Sequence, residues 1–143
     1  MAVPAATDFF SIKQLLRQSH IAFTEDAATG RLEIDGPDDY LIELDPARGL
    51  CCLFGVDMAE LRLLVSGASN EDLGEDELQR VAREQLRPLY RRYQSRFAGA
   101  GFMEDVMVDA HSYAVAFVKS TAMLAPDEVV RLVQWCRNAG GSS

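Results

Sequence analysis

The residue types best suited to covalent chemistry in this 143-residue chain are three cysteines, Cys51, Cys52 and Cys136, and two histidines, His20 and His111. A cysteine acts as a nucleophile only as its thiolate, which needs a neighbouring base or cation. No histidine lies near Cys51 or Cys52 in the chain. Adjacent residues of a strand point to opposite faces, so Cys51 and Cys52 are not expected to pair with each other. Apolar neighbours in sequence favour reduced, buried thiols that pack as small hydrophobes. A small cytoplasmic enzyme or ligand sensor built on Cys51 or Cys52, His111 and acidic neighbours stays open as the alternative, since active sites assemble from distant segments.

Metal chemistry finds little footing. Glu104, Asp105, Asp109 and His111 are ligand types clustered in sequence, but they fall around an expected hairpin tip, where acids serve turns and solvent, and they have neither zinc nor calcium spacing. No G-x-S-x-G elbow and no glycine-rich phosphate loop occurs. No catalytic residue, no metal ligand and no cofactor is assigned.

The other notable pattern is cationic. Arg83, Arg87 and Arg91 recur with Arg80, Arg92 and Arg96 along one segment, six arginines against four acids between Glu75 and Phe97. That segment carries +2 and the remaining residues −10 of the net −8. Acids early and bases late complement a helix dipole, so a solvated face accounts for the strip, while a contact with an acidic partner is the functional reading. Trp135 lies beside the apolar stripe of the last segment, where it either packs or anchors an interface. Tyr90, Tyr93, Phe97 and Phe102 raise the same choice, with Tyr93 and Phe97 continuing an apolar stripe.

The elements that must position these residues follow from periodicity. Thr7 as N-cap, then Phe9, Ile12, Leu15 and Leu16, predict a short amphipathic helix ending near His20. A break is expected over Thr24 to Gly30. Leu32 and Ile34, then Tyr40, Ile42 and Leu44, alternate as strands, and Leu50 to Val56 reads as a buried strand. Glu60 to Ser66 favours one more strand, with a short helical turn as competitor, and Gly67 to Gly74 reads as a polar linker.

Leu78, Val81, Ala82, Leu86, Leu89, Tyr93 and Phe97 stripe a long helix in which Pro88 predicts a kink or break. Val106 and Val108, a turn at Asp109 to His111, and Tyr113, Val115 and Phe117 form a β-hairpin. Pro126, acids behind it, Val129, Leu132, Val133 and Cys136, with Gly140 beyond, spell a closing helix. The order is helix, three or four strands, long helix, hairpin, helix: an α+β fold with helices on an antiparallel sheet. Residues 1–143 are expected to form a single domain, fraying over 1–6 and 140–143.

Composition narrows the function classes. The chain is 48% hydrophobic and 25% charged, with a pI near 4.7. Such a surface repels phosphate backbones and anionic lipid, so neither nucleic acid nor membrane is an expected partner. The longest apolar runs, Leu50 to Val56 and Ala114 to Val118, fall far short of the ~20 residues needed to cross a bilayer. Without an N-terminal secretory pattern the expected location is cytoplasmic.

The element order, acidity and size resemble the class I chaperones of bacterial type III secretion systems. The resemblance runs through Phe9 to Leu16, Tyr40 to Leu44, Leu50 to Phe54, the long helix, the hairpin and Val129 to Trp135. It implies a cofactor-free homodimer that holds an extended segment of a client protein against its sheet. Carried over by position, it implies client contacts at Phe10, Leu16, Ile34, Ile42 and Phe54.

Overall fold

The computed structural model describes residues 9–69, 74–109 and 111–139. Thr7, the two ends expected to fray, the Gly140 stop and residues 70–73 of the expected linker lie outside them. Among the described residues four helices pack on a six-stranded antiparallel sheet. In chain order the elements are α1 (Phe9–Gln18), β1 (Phe23–Glu25), β2 (Leu32–Ile34), β3 (Leu41–Asp45), β4 (Gly49–Asp57), α2 (Met58–Ser69), α3 (Glu75–Gly99), β5 (Met103–Val108), β6 (Ser112–Lys119) and α4 (Pro126–Ala139). Across the sheet the strands run β1-β2-β3-β4-β6-β5. The expected α+β order is therefore the observed one.

Four strands precede the first long helix, but they are not the expected four. Phe23–Glu25, which overlaps the break expected over Thr24 to Gly30, pairs with Leu32–Ile34 as β1, three residues being too few to show a period. Glu60 to Ser66, read as a strand, belongs to helix α2. Leucines at 61, 63 and 64 fit either period, and the decision comes from Asp57. Its carboxylate accepts hydrogen bonds from the Ala59 and Glu60 amides at 2.8 and 3.1 Å, capping a helix whose Met58 and Leu61 turn into the core. The Asp57-x-x-Glu60 spacing was the available signal.

Pro88 does not break α3, which runs on for 25 residues. Proline sits on the exposed side, so water can reach the Glu84 carbonyl that loses its amide partner. On the opposite side Leu78, Ala82, Leu86, Tyr90, Tyr93 and Phe97 are buried. Six buried side chains outweigh one lost hydrogen bond. The stripe thus passes through Tyr90 and leaves Leu89 37% exposed.

All four helices bury their apolar faces on one side of the sheet, with α3 across β4 and β6, and α1 on α4. At the centre Phe97 stacks on Phe117, ring centroids 4.9 Å apart, and meets the edge of Tyr40 at 5.7 Å. Tyr40 reaches Phe54 at 5.1 Å and donates its hydroxyl proton to the Cys136 carbonyl of α4. The β3–β4 turn closes on Gly49, at φ +102°, where a Cβ would stand 2.3 Å from the Lys119 carbonyl. Only glycine allows that strand to approach β6 so closely.

Candidate functional site

The other face of the sheet carries no helix among the described residues. Alternation assigns it Leu41 of β3, Cys51, Leu53 and Gly55 of β4, Ala114, Ala116 and Val118 of β6 and Met107 of β5. Cys51, Leu53, Ala114 and Ala116 form a small apolar cluster of their own. Toward the end of this face where β4 closes at Asp57 lies an open depression of about 1100 Å³ whose lining includes Leu41, Leu53, Gly55, Met107 and Ala114.

Small side chains make the depression. Gly55 and Ala114 face each other across β4 and β6, and Leu41 and Met107 stand to either side. A Cβ at Gly55 would touch only the Tyr113 carbonyl at 3.6 Å and the Ala114 methyl at 3.7 Å, ordinary contact distances. Nothing in the fold requires glycine there.

Its margin is acidic. Glu33, Asp35, Asp38, Asp39, Asp57 and Asp109 line the depression together with Glu43, against the guanidinium groups of Arg31 and Arg48. Glu33 and Glu43 are register partners on β2 and β3, a like-charge pair on one face. Arg31 approaches Glu43 at 3.7 Å and Asp45 at 3.3 Å, one cation between two carboxylates. Burial, aided by the Glu33 and Asp45 charges, raises the Glu43 carboxyl above its ordinary value against the pull of Arg31. Arg48 reaches from the β3–β4 turn past β4 and β6 to Asp105 of β5 at 3.7 Å.

The thiols are not poised for chemistry. Burial, then the Asp45 and Glu43 charges, push Cys51 up to about 12. Cys52 lies on the helix side against Cys136, and burial raises it well above the usual thiol range. His111 sits beside Ser112, which pairs with Asp57 at the far end of β4 from Cys51. Asp57 lies six positions beyond Cys51, about 20 Å of extended strand. The structure does not bring Cys51 or Cys52 to His111.

The acids of ligand type near the hairpin turn to separate tasks. Glu104 accepts from Arg83 at 2.9 Å and Gln94 at 2.7 Å. Asp105 accepts from its neighbour's amide at 2.8 Å. Asp109 closes the hairpin turn by accepting from the His111 and Ser112 amides, bonds that hold its carboxyl below the usual range. Among the described residues no group of three or more His, Cys, Asp or Glu could hold a metal ion.

The candidate partner-binding residues part company. Leu16, Ile34, Ile42 and Phe54 are core side chains, none more than 5% exposed, and offer no area to a partner in this state. Phe10 is 69% exposed on α1. Arg83 is engaged with Glu104, Arg87 with Glu84 at 2.9 Å, and Arg91 is exposed. All four aromatics, Tyr90, Tyr93, Phe97 and Phe102, are core. Trp135 is half-buried, stacked on Phe102 at 5.8 Å and edge-on to Phe97 at 5.6 Å. It also lines a second hollow of about 370 Å³ with Lys119, Leu124, Arg131 and Leu132.

The open face was missed in sequence because Leu53, Gly55 and Ala114 look like ordinary strand residues. Whether they are covered depends on where four helices dock. The chain matches no protein-family model, no curated protein and no solved structure. Among the described residues no helix is long and apolar enough to cross a membrane.

Proposed function

We propose that this protein is a non-enzymatic, cytoplasmic, protein-binding adaptor, a secretion-chaperone-like dimer that holds an extended segment of a client. The observation that carries this reading is the sheet face that bears no helix among the described residues, where Leu41 and Gly55 are exposed in an open depression of about 1100 Å³. Enclosed sites for small ligands span about 300–1,000 Å³ and bury most of the ligand. A broad, open trough over strands suits a polypeptide better than a metabolite. The raised thiols and the distance of His111 from the cysteines give the enzyme alternative no comparable support.

Dimerisation has its own support in α2, where the adjacent Leu63 and Leu64 are 75% and 67% exposed. Neighbouring leucines left in water favour contact with another apolar surface. Light scattering of the purified protein tests the reading, with twice the 15.8 kDa chain mass expected. A strict monomer that also retains no polypeptide from its native host would overturn it.

A further inference from the structure

We propose that the trough on the sheet face opposite the described helices binds an extended segment with an apolar centre flanked by lysine or arginine, lying over Gly55 and Ala114. This rests on the adaptor reading and names the chemistry of what it holds. Three observations converge on it.

The floor sets the centre of the segment. Exposed Leu41 and half-buried Met107 present apolar atoms above Leu53 and Ala114, each 9% exposed, and Gly55, exposed near the end of a central strand, presents none beyond its Cα. Glycine within a strand weakens it, and a common reason for one is the close approach of another backbone. Since a Cβ at Gly55 would meet only ordinary contacts, that reason is not supplied by the protein itself. A chain passing over Gly55 and Ala114 can approach the sheet more closely than over any leucine.

The rim sets the flanks. Glu33, Asp38, Asp57 and Asp109 stand at the margin with Asp35 and Asp39, and Arg31 and Arg48 do not balance them. Asp35 is offset by Arg137 at 3.9 Å and Asp39 accepts the Tyr93 hydroxyl, but the acids still predominate. Clefts of one sign concentrate ligands of the other.

The Glu33 and Glu43 pair supplies the most local argument. Like charges directly opposite on neighbouring strands destabilise a sheet. Arg31 is shared between Glu43 and Asp45, which leaves Glu33 uncompensated by it. A cation from a bound segment placed between Glu33 and Glu43 relieves repulsion that the free protein retains. Binding therefore favours a basic flank over a neutral one.

The test uses the full chain and two labelled peptides of about nine residues, enough at ~3.3 Å per residue to cross the trough. Both carry an alternating leucine and alanine centre, one flanked by paired lysines and the other by paired glutamates. Fluorescence anisotropy should show saturable, salt-sensitive binding of the lysine peptide and none of the glutamate peptide. Gly55→Trp, which fills the trough without meeting the core, should weaken binding about tenfold or more while leaving the thermal midpoint near that of the wild type. Glu33→Lys combined with Asp38→Lys should weaken it as strongly through charge alone, and decides the matter if Gly55→Trp does not fold.

Failure of the lysine peptide to bind, equal binding of both peptides, or wild-type affinity in the folded variants would overturn the proposal. A native partner that is retained equally by the wild type and Gly55→Trp would also overturn it, yet leave the adaptor reading standing. Absence of both dimer and partner would sink that reading itself.

Discussion

Tyr40 donates its hydroxyl proton to the main-chain carbonyl of Cys136, joining the entry to β3 with the last turns of α4 across 96 positions of sequence. The same ring packs on Phe54, Tyr93 and Phe97, so one residue links sheet, long helix and closing helix. Tyr40→Phe keeps the ring and removes only the donor. Urea unfolding should show a loss of about 0.5–1.5 kcal/mol, the usual net value of such a bond, with an unchanged slope.

If Leu16, Ile42 and Phe54 hold the core together, truncating them should damage stability before binding. Leu16→Ala and Ile42→Ala should each cost about 2–5 kcal/mol and Phe54→Ala about 3–5 kcal/mol. Phe10→Ala, at an exposed site, should stay within about 0.5 kcal/mol. Chemical denaturation midpoints measure all four. Wild-type stability in the Ile42 variant would mean that this side chain serves something other than the fold.

Pro88 is an internal cost that α3 carries because its buried face requires a continuous helix. Pro88→Ala restores an amide that can bond to the Glu84 carbonyl and removes the ring's clash. Stability should rise by about 1–3 kcal/mol, bounded by the roughly 3 kcal/mol penalty of proline within a helix.

Glu43 links stability to pH. Its folded carboxyl titrates above its ordinary value of 4.5, so the native state holds more protons than the unfolded chain above that pH. Its contribution therefore falls as pH rises through the raised value, the reverse of a salt-bridged carboxylate. Glu43→Gln should melt higher than the wild type at neutral pH, and the advantage should vanish below about pH 4.5, as thermal melts across pH would record.

The three free cysteines are all buried. At neutral pH an aromatic disulfide reagent should label the native protein sluggishly and titrate three thiols once guanidinium unfolds it. A fast phase in the native state would revive the enzyme alternative.

Local pattern determined much of this protein. The stripe from Leu78 to Phe97, the alternation of Tyr113, Val115 and Phe117, and Pro126 ahead of Val129 and Val133 were legible because a helix or strand buries residues at a fixed period. Where period and length suited helix and strand equally, tertiary structure decided. Leu61, Leu63 and Leu64 became helical through the Asp57 cap and a docking site for Leu61, and Tyr90 displaced Leu89 from the buried stripe because Phe117 lies opposite it. The trough was decided entirely at that level. All four helices settled on one face of the sheet, and whether Gly55 and Ala114 meet a helix or an open space is a property of that packing, not of either residue's neighbours in the chain.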